Sequence, residues 1–173
     1  MARRRLPPDP RFAGIRVDNN FFDSSIGSIE RQAADQIIEL AESLTLSVAV
    51  PHTVRAELAH PNTPAETRQR AARLPYTLDT GMGDRARLTV VKSIMLGNAQ
   101  PGKHEADASH LYDSALWQCS YFVTCDARLL RKDDSLAEVI DDLWIVRPSQ
   151  LMAIFRRFVS DECPDNSNRP QDG

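Results

Sequence analysis

Apolar residues recur every three or four positions along residues 29–44. Ala33, Ile37, Leu40, Ala41 and Leu44 share one stripe, which predicts an amphipathic helix. Ser28 stands before it as the expected N-cap, with Glu30 in the first turn. The same spacing over 104–120, through Ala108, Leu111, Ala115 and Cys119, predicts a second long helix. Short apolar runs lie between such stretches, at 14–18, 46–50, 121–124 and 143–146, and each has the length of a strand. Pro51 and Pro148 open further helices, since proline suits a first helical turn. The first carries Val54, Glu57 and Leu58; the second carries Leu151, Met152, Phe155 and Phe158. Asp126 begins a polar turn or helix with Leu129 and Leu130. Residues 61–103 are the least regular: 63–73 looks helical, Pro75 breaks it, and 85–96 reads as helix despite its β-branched residues. No segment repeats another. Strands alternating with helices predict an α/β fold of three layers, α/β/α, with a central parallel sheet. Sheets of that kind place their sites at the carboxyl ends of the strands.

Length and composition narrow the picture. A chain of 173 residues is one domain and buries about 70% of its unfolded surface, so it needs no disulfide or structural zinc to fold. No apolar run approaches the roughly 18 residues of a membrane span. The basic opening lacks the apolar core of a secretory signal. Cys119, Cys125 and Cys163 form no CxxC pair, which argues against a disulfide scaffold or zinc knuckle and leads us to expect a reducing, cytoplasmic setting. The first eleven residues, rich in proline and arginine, read as a flexible basic arm; 12–160 form the domain; 161–173 form a disordered polar tail. The net charge of −3 excludes a protein coated in positive charge, yet permits an acidic metal site ringed by arginines.

The candidate chemistry lies at the strand ends. Asp18 closes the first strand and Asp126 lies just beyond the third. Glu57 sits one to two turns into the helix after the second strand, and Asp107 in the first turn of the 104–120 helix. A parallel sheet would bring all four to one edge, where they would repel each other and raise each other's pKa. A hard divalent cation, Mg²⁺ or Mn²⁺, would relieve that repulsion, whereas the four histidines and three cysteines have no zinc-ligand spacing. Each acid also has a plainer reading. Asp107 answers a helix dipole, Asp126 is an N-cap, Glu57 is a solvated helix residue, and Asp18 forms an Asx-turn. His110 reads as a half-buried helix residue and Thr124 as a strand residue bonded locally. Joint placement favours the site.

These segments resemble the PIN-domain nucleases. Ile15-Arg16-Val17-Asp18-Asn19-Asn20 is similar to that family's opening strand with its Asp-x-Asn, and Val54-Arg55-Ala56-Glu57 to its helical glutamate. Asp107-Ala-Ser-His110 followed by Thr124-Cys125-Asp126 resembles its third and fourth acids, and Ile145-Val146-Arg147-Pro148 its last strand, proline and helix. The likeness spans about residues 13–158, but 61–103 matches nothing in it. It implies a divalent-metal-dependent endoribonuclease. Asp18, Asp107 and Asp126 would bind metal, and Glu57 would bind it directly or through water. Asn20 and Thr124 would fix the carboxylates. Arg16, Arg55, Arg128, Arg131 and Lys132 are candidates, by position, to meet the RNA phosphate. Glu105 is the substitute for Asp107 if the helix register differs. The resemblance further suggests the toxin of a toxin–antitoxin pair, and the apolar face of the last helix suggests a homodimer. The alternative is a non-catalytic PIN-like module that binds RNA or protein. A phosphatase of the haloacid-dehalogenase type wants Asp-x-Asp where this chain has Asp18-Asn19-Asn20, and a receiver domain wants a lysine that Lys132 is misplaced to supply.

Overall fold

The computed structural model describes residues 6–79, 85–97, 105–116, 119–140 and 142–161. Four short strands, β1 (Gly14–Val17), β2 (Ser47–Ala49), β3 (Tyr121–Val123) and β4 (Trp144–Val146), form one all-parallel sheet in the order β2-β1-β3-β4. The helices are α1 (Ser28–Glu42), α2 (His52–Leu58), α3 (Ala65–Ala71), α4 (Arg85–Leu96), α5 (Glu105–Leu116), α6 (Ala127–Arg131), α7 (Asp133–Ala137) and α8 (Pro148–Asp161). The fold is the expected three-layer α/β/α arrangement.

Strand alternation splits the core in two. Ile15, Val17, Tyr121, Val123 and Val146 join a cluster with Ile37 and Ile38 of α1 and Leu151 and Met152 of α8. Phe122 and Ile145 point the other way, into a cluster with Val91, Leu111, Leu129 and Leu136. Burial on both faces is what makes the strands short and apolar. The chain leaves β1 for β2 in one direction across the sheet and leaves β3 for β4 in the other. The order therefore reverses between β1 and β3, whose register pairs Val17 with Val123. A crevice opens beyond such a reversal.

Several expected boundaries move. Gly27, not Ser28, is the N-cap of α1. Glu30 instead caps α8, accepting from the backbone N–H of Ser149 at 2.9 Å and its hydroxyl at 2.8 Å. Leu44 is not a core residue: it follows the end of α1 at φ 60° and is 90% exposed, while Leu46 turns back into the core. Its left-handed backbone lets Thr45 and Leu46 donate to the Leu40 carbonyl at 2.9 and 3.1 Å. The helix expected over 104–120 spans Glu105–Leu116, and Cys119 enters the core from the loop before β3.

Part of the expected basic arm is built into the domain. Asp9 caps a 3₁₀ turn at Pro10–Phe12, Pro10 is buried, and the Tyr121 hydroxyl donates to the Pro8 carbonyl. Proline supplies no N–H and a preset φ, so a short proline-rich segment docks at little entropic cost. Residues 1–5 and 162–173, the rest of the arm and nearly all of the tail, lie outside the described residues. Of the apolar face of α8 that suggested a second copy, Leu151, Met152 and Phe155, with Ile154 beside them, pack into the α1 cluster. Among the described residues no helix is long and apolar enough to cross a membrane.

Candidate active site

Val17 ends β1, and the next residue remains tied to the sheet: the Asp18 N–H donates to the Val123 carbonyl at 3.0 Å. The Asp18 carboxylate is buried. Its Oδ1 accepts the Asn19 N–H at 2.8 Å, and its Oδ2 accepts the Asn20 amide at 3.1 Å and faces the Thr124 hydroxyl at 3.0 Å. Asn20 Oδ1 accepts the Cys125 N–H at 2.8 Å, and Thr124 Oγ1 accepts the Asp126 N–H at 3.0 Å. Asn20 and Thr124 thus lace the ends of β1 and β3 together and hold the Asp18 carboxylate, the role that the resemblance implied for them. The Asx-turn and N-cap readings also hold: Asp18 caps a 3₁₀ turn at Asn19–Phe22, and Asp126 caps α6 by accepting the Arg128 N–H at 2.7 Å.

The other acids gather around this corner. Arg128 joins two of them, with Nη2 at 2.7 Å from Asp126 Oδ2 and 3.1 Å from Asp107 Oδ2. His110, only 2% exposed, lies between the other two, with Nδ1 3.5 Å from Asp18 Oδ1 and Nε2 3.4 Å from Glu57 Oε1. Nδ1 makes no hydrogen bond, so we read the Asp18 contact as ionic. Asp107 and His110 are three residues apart on α5 and share a face, which was the available sign that His110 belongs to the site.

The electrostatics follow. Burial pushes Glu57 above its ordinary value; Asp18 and Asp107 push the same way against His110. Burial likewise raises Asp107, with Asp18 and Asp126 adding and Arg128 opposing. For His110 burial acts downward, but Asp18, Glu57 and Asp107 outweigh it and hold the proton on. Burial also acts to raise Asp126, and the Arg128 bonds reverse that, leaving it lowered. The repulsion among the acids is therefore real, but it is relieved in part from within, by His110 and Arg128, and not only by a foreign cation.

Among the described residues, no group of three or more histidine, cysteine or acidic side chains is arranged to hold a metal ion. The donor chemistry suits a hard cation, since four carboxylates face one corner. The four do not form a cage: Arg128 stands between Asp107 and Asp126, and His110 between Asp18 and Glu57. Glu105 is not needed as a substitute; it points outward, 3.9 Å from Lys92.

The cations expected to meet phosphate divide. Arg16 is a correction: it is buried on the sheet face opposite Ile15 and Val17, its Nη1 donating to the Ile15 carbonyl at 2.9 Å, and it reaches no substrate. Arg128 is engaged with the acids. Arg55 is exposed, its guanidinium 5.5 Å from the Tyr76 ring centre. Arg131 is exposed at the end of α6, and half-buried Lys132 brings its Nζ against Gly97 at the end of α4.

A second polar cluster lies farther along α5. His52 Nδ1 is 3.0 Å from Asp113 Oδ2, Thr77 Oγ1 is 3.4 Å from the same oxygen, and the Thr77 hydroxyl accepts the His52 N–H at 2.9 Å. Asp113 also faces the buried Arg16 charge, and burial raises its pKa against the pull of His52. Asp113 is therefore an internal partner, not a further site acid. Compared with known proteins, the chain matches no family model, no curated protein and no solved structure.

Proposed function

We propose that the chain is a divalent-metal-dependent endoribonuclease of the PIN type. What supports the reading above all is an excess of carboxylate at the point where the strand order reverses: Asp18, Glu57, Asp107 and Asp126 share two neighbouring cations, His110 and Arg128. Asp18, Asp107 and Asp126 would hold Mg²⁺ or Mn²⁺, with Glu57 beside them. A bound cation of this kind makes water nucleophilic and stabilises charge on a phosphoryl oxygen. The chain's own groups do the rest. Asn20 and Thr124 hold Asp18 in one orientation. Glu57 faces the open cleft with its carboxyl pulled upward, which suits a group that takes a proton from water. His110 positions Glu57 from behind. Arg128 has to leave Asp107 for a cation to enter, and exposed Arg55 and Arg131 are left to meet the phosphate.

Asp18→Asn and Asp126→Asn should each abolish Mn²⁺-dependent cleavage of single-stranded RNA while circular dichroism stays native. Thr124→Val should lower cleavage by about 10–100-fold, as losses of a supporting hydrogen bond do. Asn variants that cut as well as the parent would overturn the proposal. A second reading, a module that binds RNA or protein without cutting it, is favoured by the way Arg128 and His110 already answer the acids. Mn²⁺ decides between them: a catalytic site gains thermal stability with rising Mn²⁺ by mass action, and a site closed by its own cations does not. The further role of toxin held by an antitoxin rests on the resemblance, and the cytoplasmic setting on the cysteine pattern.

A further inference from the structure

A cleft of about 470 Å³ opens beside Glu57, between the turn after β1 and the loop joining α2 to α3. Its volume falls in the roughly 300–1,000 Å³ range of small-ligand sites. Asn19, Asp23, His60, Asn62, Thr63 and Pro64 are among its walls. Among the described residues no lysine or arginine lines it, and two carboxylates do, so it repels a phosphate. Its amide, hydroxyl and imidazole groups suit a neutral ligand with a hydrogen-bonding edge.

We propose that this cleft is a subsite for one unpaired nucleobase, next to the acids, and that it prefers bases carrying an exocyclic amino group over uracil. The hydrogen bonds within the wall decide the preference. Thr63 Oγ1 donates its proton to the Glu57 carbonyl at 2.9 Å, so toward the cleft it can only accept. Asp23 Oδ1 accepts the Ser25 N–H at 2.8 Å, leaving Oδ2 as a second acceptor. His60 Nδ1 accepts the Asn62 N–H at 3.2 Å, which puts the neutral ring's proton on Nε2. The Asn62 side chain is exposed and supplies both a donor and an acceptor. Acceptors outnumber donors among these groups, and the amino groups of adenine, cytosine and guanine answer them, whereas uracil offers a single ring N–H between two carbonyls. His60 and Pro64 supply flat surfaces for the ring. Single-stranded RNA is read in this way, by splayed bases that stack and pair along their edges.

The proposal rests on the nuclease reading for its placement beside a cleavage point, so binding and cutting are measured apart. Fluorescein-labelled octaribonucleotides of adenine, cytosine or uracil are titrated with the full chain in EDTA and read by anisotropy. The adenine and cytosine oligomers should bind about tenfold tighter than uracil. Asn62→Ala should weaken adenine binding about tenfold, and Asp23→Asn, which keeps the bond to Ser25, should bring adenine and uracil close together. Equal binding of all three, or an adenine-to-uracil ratio unchanged in both variants, overturns the subsite. Cut sites are then mapped in mixed-sequence RNA with Mn²⁺. Cleavage without base preference overturns the subsite and leaves the nuclease; base-selective binding without cleavage supports the subsite and removes the nuclease.

Discussion

The interface of α2 with α5 holds two acid–histidine groupings that differ in balance. At one end His110 lies between Asp18 and Glu57, with Asp107 and Asp126 nearby, and only Arg128 adds to its charge. At the other end His52 meets Asp113, with Asp79 3.7 Å from the far side of the ring and Arg16 facing Asp113 from the sheet. In the second group the buried Arg16 charge faces Asp113, and Thr77 closes the group through Asp113 and the His52 N–H. The first leaves anions over. Similar side chains make a strut in one place and a candidate reaction centre in the other, and the difference is the count of charges that geometry brings together. A balanced buried group serves the fold, whereas an unbalanced one costs stability and is available to a ligand.

The comparison breaks first at Asp113. Asp113→Ala leaves buried Arg16 without the carboxylate that faces it and takes the nearer acid from His52, and should cost about 3 kcal/mol of unfolding free energy, read from urea denaturation. Should the loss be no larger than that of Glu57→Gln, the two ends are not different in kind.

The next effect is on pH. His110, Glu57 and Asp107 all have folded pKa values above their ordinary 6.5, 4.5 and 3.8. A group raised on folding contributes stability that is complete below its unfolded value and is lost as pH rises through its folded value. His110 therefore governs the neutral range, and the chain should resist urea better near pH 6 than near pH 8. His110→Gln should flatten that slope; a slope that survives the change assigns it elsewhere.

Smaller still is Arg128→Gln. The side chain is well exposed, so its ion pairs contribute about 0–1 kcal/mol to stability. On the proposed reading its removal frees Asp107 and Asp126, and the midpoint of a Mn²⁺ thermal-shift titration should fall. A midpoint that rises would make Arg128 part of the cation site's support, not its competitor. The smallest change is Glu57→Gln, which removes a repelled charge and should leave stability within about 0.5 kcal/mol of the parent, or above it.

Much of this was legible from the chain. The positions of Asp18, Glu57, Asp107 and Asp126 at strand ends and first turns followed from apolar spacing, because a parallel sheet sends such residues to one edge. Asn20 and Thr124 came from the resemblance to the PIN-domain nucleases, not from the apolar pattern. Arg16 misled for a physical reason: Ile15-Arg16-Val17 alternates like a strand with one wet face, and only the packing of α5 over that face buries the arginine. His110 misled because the one available sign, its place three residues from Asp107 on the same helix face, suits a core residue as well as a counter-ion. The proline-rich opening looked like a free arm until Tyr121, more than a hundred residues on, supplied a donor to it.

The order of strands and helices and the places of the candidate acids along them followed from local periodicity and turn chemistry, which act over a few residues at a time. Which charges meet which was decided only by the tertiary structure. Ion pairs such as Arg128 with Asp107, or His110 with Glu57, join elements far apart in sequence, and their strength depends on distance and burial that no local pattern encodes.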